Sequence, residues 1–125
     1  MFKIHHRSIN SVEPFEYLEK NAGETVQAGE ALSVANGKLT KCAATAKPEY
    51  IAQGPANHKG MVPCIRVLPT TIFEVPAQAD QSALSAGSKV TLHTDGLQAT
   101  ATTASGVFTL LSPAKAGEAC TGYFA

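Results

Sequence analysis

The amino-acid sequence predicts an all-β domain: a small β-barrel or β-tulip built from hairpins, with at most one or two short helical turns. Two Asx-Gly dipeptides, Asn36-Gly37 and Asp95-Gly96, each stand between runs in which apolar and polar residues alternate. This pattern is the strongest local signal for a β-hairpin. Few windows show the 3.6-residue period of an amphipathic helix, and Gly and Pro interrupt the chain at short intervals.

The first residues are predicted to form a separate N-terminal arm, 1–12, followed by a single β domain, 13–125. Apolar residues are spaced among polar ones in this arm, as in a segment that pairs with the sheet edge of a partner. An untethered terminus is also commonly frayed, so an extended arm and a disordered one both remain open. The candidate partner-binding residues are Phe2, Ile4, His5, His6, Arg7 and Ile9.

Two segments are predicted as hairpins, "ALSVANGKLTKCA" (31–43) and "VTLHTDGLQATATT" (90–103). The primed turns of tight hairpins need positive φ at both central residues, which Asn or Asp followed by Gly adopts at low cost. A helical turn is expected only near 11–20 or 80–87.

Three further runs complete the predicted strands: 64–76, 106–113 and 118–125. Pro69 interrupts the first of them and has no N–H to donate to a sheet. We therefore expect an edge strand there, or a break in the strand at this proline.

The dipeptide Ala-Gly recurs at 28–29, 86–87 and 116–117, each time just before a predicted strand. We expect each glycine to let the chain turn, and the apolar residue three positions later to point inward. Three such turns favour a small barrel or two packed sheets.

Composition excludes several classes of function. Ten basic residues balance ten acidic ones in 125, without the basic surface that nucleic-acid binding requires. Small proteins with no net charge repel one another weakly and associate more readily. A neutral surface is therefore compatible with a protein that functions as part of an assembly. No segment is apolar enough for a signal peptide or a membrane span, so the chain is expected to fold in a cytoplasm.

The sequence shows no catalytic, cofactor or metal motif, and we predict that the protein is not an enzyme. The three cysteines, Cys42, Cys64 and Cys120, have no close pair, so they are interpreted as buried thiols in a reducing compartment. His5 and His6 are adjacent, and neighbouring side chains of a strand point to opposite faces and cannot chelate together. His58 and His93 stand alone.

Lys38 follows the Asn36-Gly37 turn, where biotinyl and lipoyl carrier domains place the lysine that is modified. Its neighbours, Gly37 and Leu39, are not those that accompany the lysine in such carriers. A solvated lysine at a hairpin tip is therefore the favoured interpretation, with a carrier domain as the weaker alternative.

Most of the chain after residue 12 resembles the small capsid decoration (cement) proteins of tailed phages and prophages, of the lambda head-decoration type. The resemblance depends on the order and spacing of "GETVQAGEALSVANGK", "KPEYIAQG", "TIFE", "GSKV" and "DGLQATATT". It implies a compact β-barrel or β-tulip that binds the outer surface of a finished capsid lattice, often as a trimer. The implied partners are the major capsid protein and further copies of the chain, with no nucleic acid and no membrane.

The resemblance also implies a location: the bacterial host cytoplasm during assembly and then the capsid surface of the virion. It supplies no active-site residues. A β-module associated with a fibre or an adhesin is the alternative, because threonine-rich strands are equally suited to such a module.

Overall fold

The structure is a computed structural model that describes residues 1–7 and 15–125. The all-β prediction is confirmed: these residues form ten strands and no helix. Ile9, one of the predicted contact residues, lies outside the described residues. The strands are β1 (Lys3–Arg7), β2 (Glu16–Glu19), β3 (Ala31–Ala35), β4 (Lys38–Lys41), β5 (Tyr50–Ala52), β6 (Met61–Arg66), β7 (Thr71–Pro76), β8 (Lys89–Val90), β9 (Phe108–Ser112) and β10 (Ala119–Phe124).

The strands form two five-stranded antiparallel sheets rather than one closed barrel. Sheet I has the order β1-β7-β10-β9-β8, and sheet II has the order β2-β6-β5-β3-β4. Sheet II curls until its two edge strands meet at one point. There Lys20 forms a parallel bridge with Leu39, whose carbonyl accepts a hydrogen bond of 2.8 Å from the Asn21 N–H.

The main core lies between the two sheets. Sheet I supplies most of it as an aromatic cluster with ring centroids 4.9 to 6.0 Å apart, formed by Phe2, Phe73, Phe108 and Phe124. Sheet II contributes Ala31, Ile51 and Ile65 to the same cluster.

A second, smaller core covers the other face of sheet II. Alternation along β3 explains both cores, because Ala31 points to the first and Leu32 to the second. The second core contains Val26, Leu32, Leu39, Tyr50, Ala52, Val62 and Cys64.

The Asn36-Gly37 hairpin is confirmed. Ala35 pairs with Lys38 across a two-residue turn, and Asn36 and Gly37 have φ of 52° and 77°. Positive φ at both positions is the mark of the predicted primed turn.

The chain also reverses at Asp95-Gly96, as predicted, but through a wider turn. Leu92 pairs with Ala99, and only Gly96 of the dipeptide has positive φ. The Asp95 carboxylate accepts hydrogen bonds from the Leu97 N–H at 2.8 Å and the Gln98 Nε2 at 2.7 Å. This side-chain bonding replaces the tight two-residue turn.

The three Ala-Gly turns behave as predicted. Gly29, Gly87 and Gly117 have φ of 81°, 95° and 84°, and a strand begins two residues after each. The residues three positions later, Leu32, Val90 and Cys120, are fully buried.

The break at Pro69 is confirmed, since β6 ends at Arg66 and β7 begins at Thr71. A helical turn near 11–20 is wrong for Glu16–Glu19, which form β2. Pairing of these residues with β6 overrides their local preference.

Candidate partner interface

The first described residues belong to the domain rather than to a separate arm. β1 is an edge strand of sheet I and pairs with β7. Phe2 is 2% exposed, and its ring meets those of Phe73 and Phe108 edge to face, with centroids 6.0 and 5.7 Å apart. The prediction that Phe2 anchors a partner is therefore wrong, because its side chain completes the core.

Four of the predicted contact residues, Ile4, His5, His6 and Arg7, lie on β1 at the edge of sheet I. Ile4 is 41% exposed; His5 and His6 are exposed, and Arg7 is half-buried. The pairing of β1 with β7 is irregular between Ile4 and His6, which indicates a bulge. A bulge and charged residues on a short edge strand discourage the addition of another strand. This edge is suited to side-chain contacts more than to backbone pairing.

A second exposed surface was missed by the sequence analysis. Phe15 and Tyr17 are 51% and 59% exposed. Phe15 directly precedes the edge strand β2 and Tyr17 lies within it. Because they are two residues apart, their side chains share a face. Tyr17 pairs with Pro63, and Glu19 with Met61, on β6. The available signal was the apolar–polar–apolar order of Phe15, Glu16 and Tyr17, which is typical of a strand and conflicts with a helical turn over 11–20.

Two ion pairs hold β2 beside this surface. The Glu16 carboxylate accepts from Arg66 at 2.7 and 3.1 Å, and the Arg66 guanidinium lies over the Tyr50 ring, 5.6 Å from its centroid. Glu19 pairs with Lys38 at 3.4 Å. The charges of Glu16 and Glu19 on β2 are thus compensated within the chain. We define Phe15, Tyr17, Met61 and Pro63 as the aromatic patch.

Aromatic side chains are enriched in the buried centres of protein interfaces, whereas charged ones are depleted there. The aromatic patch has this composition. The β1 edge, with its cationic and imidazole side chains, has the composition of an interface rim.

The cysteines are buried free thiols, as predicted. Burial raises the pKa of all three, that of Cys64 to about 11. Each thiol donates to a backbone carbonyl, as Cys64 does to Glu16 at 3.3 Å. A thiolate nucleophile is therefore disfavoured at all three positions.

Within residues 1–7 and 15–125, no group of three or more His, Cys, Asp or Glu is placed to hold a metal ion. Over the same ranges, no helical segment has the length and hydropathy that crossing a membrane requires.

Comparison with known proteins finds a likeness in structure. No family model matches the chain, and no curated protein matches it. The crystal structure of the head fiber gp8.5 N base of bacteriophage phi29 is similar, with a TM-score of 0.61 and 20% sequence identity. The match covers 89% of this chain and 94% of that one, so the two share a fold along nearly their whole lengths.

Proposed function

We propose that the chain is a non-catalytic structural component of a phage virion that binds the outer surface of the head. The observation that carries the proposal is the structural likeness to the base of a phage head fiber, over 89% of this chain. The independent resemblance to capsid decoration proteins leads to the same part of a virion.

The exposed surfaces fit a stoichiometric binder. The aromatic patch exposes two large side chains, Phe15 and Tyr17, that a partner could remove from water on binding. Aromatic residues are frequent hot spots of binding energy. A capsid lattice repeats one site many times, so modest contacts of about 800 Å² per partner add up when several copies act together. We propose the major capsid protein as this partner and a homotrimer as the bound form. The protein would then move from the host cytoplasm to the capsid surface during assembly.

The fibre-associated module stays as a second candidate. It is favoured by the structural likeness to the base of a head fiber. A decoration protein would cover the lattice in many copies, whereas a fibre base would occupy fewer sites and support a further structure. The number of copies per head separates the two.

Co-sedimentation with empty heads of the encoding phage tests the proposal. We expect the wild-type protein to pellet with these heads at micromolar concentration, and not with heads of an unrelated phage. Failure of the wild-type protein to bind would contradict the proposal.

Variants in the same assay locate the contact. Phe15→Ser combined with Tyr17→Ser should weaken binding, since both anchors are lost. Leu111→Ser is the matched control, because Leu111 is likewise an exposed apolar residue, at 41%, but lies on β9 of sheet I. Ile4→Ser tests the β1 edge. If only this last variant weakens binding, the contact lies at β1 and not at the aromatic patch.

A further inference from the structure

Glu30 is a buried carboxyl with an unsatisfied oxygen. The residue is fully buried. Its Oε1 accepts a hydrogen bond of 3.3 Å from the Gln27 N–H, while its Oε2 has no partner among the described residues. A charged carboxylate in such a position is costly, whereas a neutral carboxyl is tolerated far better. The surroundings therefore favour the protonated side chain.

Glu30 lies where three parts of the fold are joined. The Phe2 N–H donates to the Gly29 carbonyl at 2.9 Å, which ties the start of β1 to the turn that contains Glu30. The Ala31 N–H donates to the Gly96 carbonyl at 2.8 Å, which ties β3 to the loop 93–98. That loop packs closely on Glu30, since a Cβ built on Gly96 would lie 3.0 Å from the Glu30 Cγ.

The charged groups around Glu30 come from several elements. Burial is the main cause that raises the pKa of Glu30; the Gln27 N–H and Lys41 lower it, and Glu24 and Asp95 raise it. Burial also acts to raise the pKa of Asp95, but hydrogen bonds from Gln98 and Leu97 bring it below its usual value. Asp95 thus stays anionic. The N-terminal ammonium donates to the Leu97 carbonyl, and its charge also lowers the pKa of Asp95.

We propose that Glu30 is a proton-controlled latch, which holds β1 and the loop 93–98 against sheet II while it is neutral and loosens them when it ionises. A raised pKa in the folded state means that the folded protein holds the proton more tightly than the unfolded chain. The stabilisation is fully present below the ordinary glutamate pKa of about 4.3 and is lost as the pH rises through the folded-state value. The latch opens towards higher pH.

Amide hydrogen exchange of the full chain tests the proposal, with peptides that cover 1–7, 27–31 and 93–98. After correction for the intrinsic exchange rate, the opening constant of these peptides should rise by up to about tenfold per pH unit and then level off. Glu30→Gln keeps the shape of the side chain but cannot ionise, so it should remove this rise. Glu118→Gln, which changes an exposed carboxyl outside the latch, should keep it.

The wild-type protein provides a second test that needs no variant to fold. Carbon-13 NMR of the Glu30 carboxyl should give a titration midpoint above the ordinary value, at the pH where the rise in exchange levels off. An ordinary midpoint, or a rise that persists in a folded Glu30→Gln variant, would overturn the proposal.

Discussion

The Lys38 ammonium lies 3.4 Å from the Glu19 carboxylate, and this ion pair crosses the point where β4 and β2, the two edges of sheet II, meet. Both side chains are about half exposed, at 44% and 53%. Exposed pairs of this kind contribute little to stability. We therefore expect the Lys38–Glu19 pair to contribute little to the contact between β4 and β2.

Lys38→Ala should lower the free energy of unfolding by less than about 1 kcal/mol, because solvent screens the pair. It should leave binding to heads unchanged. Urea unfolding and co-sedimentation measure these effects, with Lys59→Ala in an exposed turn as the control. A severe loss of function on removal of the Lys38 amine alone would instead favour the carrier interpretation.

Phe2→Ala should cost about 3–5 kcal/mol, the usual loss for a buried phenylalanine. Ile4→Ala, two residues away on the exposed edge, is the matched control and should change stability far less. Equilibrium unfolding in urea gives both values. Equal small losses would show that Phe2 lies outside the core in solution.

Gly37→Ala and Gly96→Ala should differ, although both glycines have positive φ. At Gly37 an added Cβ meets nothing within 4 Å, so the cost is the backbone strain of about 1–2 kcal/mol. At Gly96 the Cβ also approaches the Glu30 Cγ at 3.0 Å and the Ala31 carbonyl oxygen at 3.3 Å. Thermal unfolding should therefore show the greater destabilisation for Gly96→Ala, and the reverse order would contradict this packing.

The three thiols should resist modification in the folded protein. Burial and, for Cys64, a pKa of about 11 keep them protonated near pH 8. We expect a thiol reagent such as DTNB to label all three in denaturant and to label the native protein only as fast as it opens. Rapid labelling of native Cys64 would contradict its burial.

The sequence predicted features that depend on local chemistry. The turn at Asn36-Gly37 and the three Ala-Gly turns follow from the backbone conformations that these residues favour. Features that depend on contacts between residues far apart in the sequence were harder to predict. Phe2 is buried only because β1 pairs with β7, a residue separation of about 70 that no local pattern reveals. The exposure of Phe15 and Tyr17 depends likewise on β2 being the edge of sheet II.

The arrangement of the strands was also beyond the local patterns. The same alternating runs are compatible with one closed barrel or with two separate sheets. The choice depends on which strands share hydrogen bonds, and here β6 and β7, consecutive in the chain, lie in different sheets. Pro69 and the short connection around it permit that change of sheet.

Cryo-electron microscopy of heads incubated with the purified protein tests the proposed function most directly. The account predicts additional density on the outer surface of the head, at positions related by the capsid symmetry, into which the two-sheet domain fits with the aromatic patch against the capsid. Heads without such density at saturating protein, or density on the tail alone, would contradict the account.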